Sequence, residues 1–82
     1  MTIQVYGAQW CGDCRRTKAQ LEGLGVAFDY LEVDKDDALR DKAIEISGKQ
    51  SIPVVVLPDG TYMVEPSNPD LERRLQELGV IG

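Results

Sequence analysis

The chain has 82 residues, the size of one small domain with a single core, and we expect residues 1–82 to form one domain with no second one. Its 14 acidic and 9 basic side chains give a net charge of −5, which disfavours a phosphate-backbone ligand, so no nucleic-acid partner is expected. No apolar run approaches the roughly 18 residues of a membrane span, and no basic segment precedes an apolar one at the N-terminus, so we expect a soluble, cytoplasmic protein without a membrane partner.

The first part of the sequence predicts a strand, a helix and a second strand. Polar and apolar side chains alternate over residues 2–6, which is typical of a strand. A helix is predicted from residue 12 to about residue 24, because small or apolar side chains recur three to four positions apart. These side chains are Cys14, Thr17, Leu21 and Leu24. The β-prone segment 26–34 predicts a second strand, and the helix between the two strands implies that they are parallel.

The middle of the sequence predicts a second helix and a hairpin. Acidic residues precede a helical pattern over residues 38–46. The most apolar run, residues 52–57, predicts a buried strand, and the turn signal at residues 58–61 leads to a return strand at residues 62–64.

The segment Ser67-Asn68-Pro69-Asp70 predicts the start of the last helix, because it combines a capping side chain, an early proline and an acid in the first turn. Leucines at positions 71, 75 and 78 give it a buried stripe, and Gly79 ends it. The predicted order of elements is therefore β-α-β-α-β-β-α.

The only two cysteines, Cys11 and Cys14, form a C-x-x-C motif between the first strand and the first helix. In a reducing compartment such a pair is seldom a permanent bridge, and so short a loop would stabilise little. Thiol chemistry needs the thiolate, which a helix N-terminus favours at Cys11. We expect exposed Cys11 to be the nucleophile and Cys14, turned inward by the helical period, to be the resolving thiol. Asp13 opposes the thiolate, so we expect only moderate activation.

A C-x-x-C motif also occurs as half of a metal site. Zinc takes four ligands, and this chain offers two thiols and no histidine. Only a dimer sharing Cys11 and Cys14, or an iron–sulfur cluster bridging two chains, would complete the coordination shell. We therefore predict a monomeric redox protein without a metal, with the metal-bridged dimer as the weaker alternative. The lack of histidine also excludes imidazole acid–base catalysis.

The sequence resembles the glutaredoxin branch of the thioredoxin fold over essentially its whole length. The resemblance is carried by Cys11-Gly12-Asp13-Cys14 after the first strand, by Ser51-Ile52-Pro53, and by Pro58-Asp59-Gly60 ahead of a capped helix. It implies an α/β thioredoxin fold with a four-stranded mixed sheet flanked by helices, and a thiol–disulfide oxidoreductase without a bound cofactor. Within the family, the chain looks most like the mycoredoxins and the glutaredoxin-like electron donors to ribonucleotide reductase, and residues 59–67 are similar to the mycoredoxin pattern.

The resemblance also implies the substrates. They would be disulfide-containing proteins and a low-molecular-weight thiol, which is glutathione, mycothiol or bacillithiol, with thioredoxin reductase as an alternative source of electrons. Two departures from the family pattern concern the thiol. Ala8 stands where glutathione-using members carry a lysine, and residues 65–68 replace a Gly-Gly-x-Asp loop.

We expect substrate to bind beside the dithiol. The resemblance implies that the Ile52–Pro53 bond is cis and faces the dithiol, which would leave the backbone of Ile52 free to pair with an extended substrate. Lys49 and Gln50 match positions at which glutaredoxins hold the carboxylate of the thiol substrate; the alternative is that they are solvated loop residues.

Five further residues complete the predicted binding surface. Trp10 precedes the nucleophile, and its ring either shelters the thiolate or contacts a partner, unless it packs in the core. Gly12 and Asp13 lie between the two thiols. Ser67 and Asn68 cap the last helix, and the N-terminus of that helix could bind a carboxylate.

Overall fold

The computed structural model describes residues 2–82; Met1, which the predicted domain includes, lies outside them. The elements follow the predicted order. They are β1 (Ile3–Gly7), α1 (Gly12–Gly23), β2 (Phe28–Glu32), α2 (Asp37–Ser47), β3 (Val54–Val56), β4 (Tyr62–Val64) and α3 (Asn68–Glu77). Within residues 2–82, no helix is long and apolar enough to cross a membrane.

The strands form a four-stranded sheet in the order β2-β1-β3-β4. Strands β1 and β2 are parallel, with Val5 opposite Tyr30 and Gly7 opposite Glu32. Strand β3 is antiparallel to both β1 and β4. The predicted mixed sheet and the parallel first pair are therefore confirmed.

The sheet separates two apolar layers, because successive side chains of a strand point to opposite faces. One layer joins the sheet to α1 and α3 and consists of Ile3, Val5, Leu21, Val55, Leu57, Leu71 and Leu75. The other layer joins the sheet to α2 and consists of Tyr6, Val33, Ala43 and Val54. Helices thus cover both faces, and the dithiol lies where β1 passes into α1.

Two predicted strands are too long, and each has a local reason. Gly25 adopts a left-handed conformation (φ 69°) and donates its N–H to Glu22 O at 3.1 Å. Val26 donates to Leu21 O at 3.1 Å, which completes a Schellman cap on α1. Residue 26 therefore belongs to the helix end, and β2 begins only at Phe28. The strand predicted over residues 52–57 is shorter because Pro53 has no N–H to donate to a neighbouring strand.

The start of α3 agrees with the capping signal. Ser67 is the N-cap, and its hydroxyl accepts the N–H of Asp70 at 3.3 Å. Leu71 and Leu75 are fully buried, whereas Leu78 is only half-buried. The start of α3 lies beside α1, because Gln20 donates to Asn68 O and Arg16 donates to Pro66 O.

Candidate active site

The two cysteine thiols differ in exposure. Cys11 is the N-cap of α1, with extended backbone, and its Sγ accepts the N–H of Cys14 at 3.3 Å. Cys11 is half-buried, whereas Cys14 is completely buried. The predicted contrast between an accessible first thiol and an inward second thiol is confirmed. Within residues 2–82, no group of three or more Cys, Asp and Glu side chains is placed to hold a metal ion.

Behind Cys14 lies a close contact between β1, β2 and α1. A Cβ atom added to Gly7 would lie 2.8 Å from Tyr30 Oη and 3.0 Å from Cys14 Sγ, so only glycine fits at that position. The Tyr30 hydroxyl donates to Ala8 O at 2.9 Å. Lys18 Nζ lies 5.1 Å from the centre of the Tyr30 ring, a cation–π distance. Tyr30 therefore joins the second thiol to the loop that precedes the first.

Burial changes the acidity of these groups. Burial, followed by the hydrogen bond with Cys11, raises the pKa of the Cys14 thiol to about 12. The pKa of Tyr30 is also raised, to about 12. Burial is the main cause, and the negative charge of a Cys14 thiolate is the second. At neutral pH, Cys14 is therefore a thiol in the dithiol.

Polar contacts tie the start of α1 to the segment before α3. The Asp13 carboxylate accepts from Arg16 at 3.1 Å, and the same guanidinium reaches Pro66 O at 3.5 Å. Gln20 donates to Asn68 O at 2.7 Å. The acid expected to oppose the thiolate thus has a cationic partner, and both groups are about half-exposed.

A cleft of about 480 Å³ opens beside Trp10, between α2, the end of β2 and the loop before Pro53. It brings together four of the predicted binding residues, which are Trp10, Lys49, Gln50 and Ile52. The Trp10 ring is 70% exposed, and its Nε1 donates to Asp34 at 3.2 Å. The alternative that Trp10 packs in the core is therefore wrong.

Charged residues that sequence reasoning missed also line this cleft. They are Asp34, Arg40 and Asp41. Arg40 lies 3.7 Å from Asp37 and 3.8 Å from Asp41, so part of its charge is already matched. Ile44, one helical turn beyond Arg40, lines the same cleft. That i, i+4 spacing is the signal by which the sequence could have pointed to Arg40.

The segment before β3 has the conformation that the resemblance implies. The Ile52–Pro53 bond is cis. Pro53 is buried, and its carbonyl accepts the N–H of Glu65 at 2.9 Å. The backbone of Ile52 forms no hydrogen bond with any other described residue. The other predicted binding residues do not line the cleft; they are Gly12, Asp13, Pro53, Ser67 and Asn68.

These features define a class of protein. A dithiol at the junction of β1 and α1, a cis proline before β3 and a mixed sheet between helices are those of a thioredoxin-fold protein with a C-x-x-C motif. A glutaredoxin family model matches residues 3–63, and the chain belongs to the glutaredoxin family. Glutaredoxins are in general thiol–disulfide oxidoreductases that use glutathione or a similar thiol as co-substrate.

Known proteins similar to this chain agree with that family. Glutaredoxin 3 of Escherichia coli is 33% identical over 55 residues, which are 67% of this chain and 66% of that protein. A glutaredoxin crystal structure from Archaeoglobus fulgidus is similar with a TM-score of 0.78 at 30% identity. The match covers 87% of this chain and 82% of the A. fulgidus chain. The glutaredoxin-like NrdH-redoxin of E. coli, with a thioredoxin-like activity profile, has a TM-score of 0.73 at 29% identity over 92% of this chain and 95% of its own.

Proposed function

We propose that this chain, as one glutaredoxin domain over residues 1–82, reduces mixed disulfides and protein disulfides with Cys11 as nucleophile and Cys14 as resolving thiol. The observation that carries the proposal is the asymmetry of the two thiols. Cys11 Sγ caps a helix and accepts an N–H, which stabilises a thiolate, while Cys14 is buried and stays protonated at rest. We further propose that the protein is cytoplasmic and monomeric.

In the proposed first step, the Cys11 thiolate attacks a substrate disulfide. A bond forms between Cys11 Sγ and one substrate sulfur, and the other substrate sulfur leaves as a thiolate that takes a proton from water. In the second step, Cys14 attacks Cys11 Sγ and releases the remaining substrate thiol, which leaves a Cys11–Cys14 disulfide. Two electrons have then passed from the dithiol to the substrate, and a small thiol or a reductase restores the dithiol.

We propose that the cleft beside Trp10 holds the small thiol or an extended protein segment. The unpaired backbone of Ile52 supports a short β-type pairing with substrate. Lys49 and Gln50 lie on the cleft wall and supply polar contacts. The proposed surface also includes Pro53, the dithiol-loop residues 12 and 13, and the capped helix start at residues 67 and 68.

Substitution of each cysteine tests the division of labour. The Cys14→Ser variant should still release a small thiol from a mixed disulfide, because a second small thiol can attack the adduct on Cys11. It should lose the reduction of protein disulfides such as those of insulin. The Cys11→Ser variant should lose both activities. Retention of protein-disulfide reduction by Cys14→Ser, or of either activity by Cys11→Ser, would contradict the assigned roles.

A second candidate function is electron transfer to ribonucleotide reductase with recycling by thioredoxin reductase. It is favoured by Ala8, which is fully buried and supplies no cation beside the dithiol, and by the similarity to NrdH-redoxin. The two hypotheses differ in the reductant that restores the dithiol. The oxidised protein is therefore incubated in parallel with glutathione, mycothiol, bacillithiol, and NADPH plus thioredoxin reductase, and the rates of reduction are compared.

We expect glutathione to be a poor reductant in that assay. Two cations, Arg40 and Lys49, and two carboxylates, Asp34 and Asp41, line the cleft, and Arg40 lies beside Asp41, so the lining has no excess of positive charge for the carboxylates of glutathione. Fast reduction by uncharged mycothiol would support the mycoredoxin type. Fast reduction by NADPH and thioredoxin reductase alone would support the electron-donor type, and fast reduction by glutathione would contradict the role given to these charges.

A further inference from the structure

We propose that the hydroxyl of Tyr30 activates the resolving thiol, by donating a hydrogen bond to Cys14 Sγ as that sulfur becomes a thiolate. This inference rests on the proposed function, because it concerns the second step of that reaction. It assigns a role to a side chain on β2, far along the chain from the C-x-x-C motif.

The geometry that carries the inference is the contact over Gly7. Tyr30 Oη and Cys14 Sγ lie 2.8 Å and 3.0 Å from the same point, the position that a Cβ on Gly7 would occupy. The hydroxyl and the thiol therefore face the same small space over Gly7, and a hydrogen bond from Tyr30 acts to lower the pKa of the Cys14 thiol against the larger effect of burial. It already donates to Ala8 O at 2.9 Å, so its hydrogen can turn between that carbonyl and the sulfur by rotation about one C–O bond.

A donor is needed at this place because Cys14 is completely buried. Burial disfavours its thiolate and raises the pKa of the thiol to about 12. The other groups that act electrostatically on Tyr30 are Cys11, Glu32 and Lys18. Glu32 is negative and disfavours a nearby thiolate, whereas Cys11 carries no charge in this step because its sulfur is bound to the substrate. Lys18 Nζ, 5.1 Å from the ring centre, is the positive charge of the set and polarises the phenol toward donation.

The chemical step balances without a proton from the phenol. Cys14 gives its proton to water as it attacks Cys11 Sγ, and the substrate thiolate that leaves takes up a proton from water. The Cys14–Cys11 bond forms and the bond from Cys11 to the substrate sulfur breaks. Tyr30 keeps its proton throughout: its hydroxyl turns from Ala8 O to the anionic sulfur and returns once the disulfide has formed.

The experiment separates the two steps in one trace. Reduced protein is mixed with a bis(nitrobenzoate) disulfide, each half of which absorbs visible light when released. The first release reports attack by Cys11, and the second reports resolution by Cys14. Wild type, Tyr30→Phe and Cys14→Ser are compared, with Tyr62→Phe as the matched control because Tyr62 is exposed and lies on β4.

We expect Tyr30→Phe to slow the second release about 10- to 100-fold, the usual effect of losing a hydrogen bond to a charged group. The first release should stay within about twofold of wild type, and the second should reach its maximum at a higher pH. Tyr62→Phe should match wild type in both phases, and Cys14→Ser should show the first release only.

Three outcomes would overturn the inference, and each is distinct. Ala8 O accepts both the Tyr30 hydroxyl and the N–H of Cys11, the latter at 3.4 Å. If Tyr30 acted only by holding this loop in place, Tyr30→Phe would slow both phases equally. An unchanged second phase in Tyr30→Phe would show that no donor is needed. Tyr30→Met also lacks the hydroxyl, so a fast second phase in that variant would overturn the inference even if Tyr30→Phe failed to fold. By contrast, loss of the first release in wild type itself would refute the proposed function.

Discussion

Substitution of Gly7 by alanine tests the packing behind the dithiol. The added methyl group would lie 2.8 Å from Tyr30 Oη, 3.0 Å from Cys14 Sγ and 3.1 Å from Cys14 Cβ. Carbon atoms in ordinary contact are about 3.5–4.0 Å apart, so all three neighbours would have to move, and two of them belong to a helix. Overpacking of this kind costs about 1–3 kcal/mol. In a domain of this size that corresponds to a fall in Tm of roughly 5–20 °C.

Thermal and urea unfolding of the reduced protein, followed by circular dichroism, measures this cost. The matched control is Gly23→Ala at the end of α1, where an added Cβ meets nothing within 4 Å and the backbone is helical. That control should be stabilised by up to about 1 kcal/mol. A Gly7→Ala variant that unfolds within about 0.5 kcal/mol of wild type would refute the packing described here.

A double-mutant cycle makes the same test specific to the tyrosine. Tyr30→Phe removes the closest of the three clashing atoms and leaves the two atoms of Cys14. The penalty for Gly7→Ala should then be smaller in the Tyr30→Phe background than in wild type, by at least about 0.5 kcal/mol. Equal penalties in the two backgrounds would show that the hydroxyl is not the atom that limits the space.

Three other substitutions probe other parts of the chain. Leu71→Ala should lower the free energy of unfolding by about 2–5 kcal/mol in urea titrations, because the side chain is fully buried; a loss under 1 kcal/mol would contradict its place in the core. Asp13→Asn should speed the alkylation of Cys11 by anionic iodoacetate about two- to fivefold, and it should speed alkylation by neutral iodoacetamide less. An equal acceleration with both reagents would contradict an electrostatic effect of Asp13. Hydrogen bonds from Thr61 lower the pKa of Asp59 below 3.8, so Asp59→Asn should lower Tm at pH 7. Because the pKa of Asp59 is lower in the folded state than in the unfolded state, the Tm difference between wild type and Asp59→Asn should vanish as the pH falls through the folded-state pKa. A Tm difference that persists at lower pH would contradict the stabilising role of the Asp59 carboxylate.

Much of the fold could be predicted from short-range patterns. The spacing of Leu71 and Leu75 identified the buried face of α3, and the alternation in β1 identified its strand, because both depend only on the geometry of one element. The errors fell at element ends. Strand β2 was predicted to begin at residue 26 but begins two residues later, at Phe28. The reason is that Val26 donates a capping hydrogen bond to α1, which outweighs the β propensity of valine.

The candidate site was predictable only in part, for a related reason. Cys11 and Cys14 are only three positions apart, and their roles could be predicted from the start of one helix. Tyr30 reaches Cys14 only because parallel pairing sets Tyr30 opposite Val5 on the neighbouring strand, and a shift of one residue would turn it to the other face of the sheet. Register depends on the whole sheet, so the sequence offered no local signal for this contact.

The ties between α1 and the segment before α3 set the length of chain that must fold together. The family match ends at residue 63, yet Arg16 and Gln20 bind the carbonyls of Pro66 and Asn68 beyond it. The helix that follows also supplies two fully buried leucines to the layer under the dithiol helix. A polypeptide cut at the end of the matched region would therefore expose that layer and free the dithiol helix on one side. The smallest unit able to present both thiols includes α3, although no cysteine lies there.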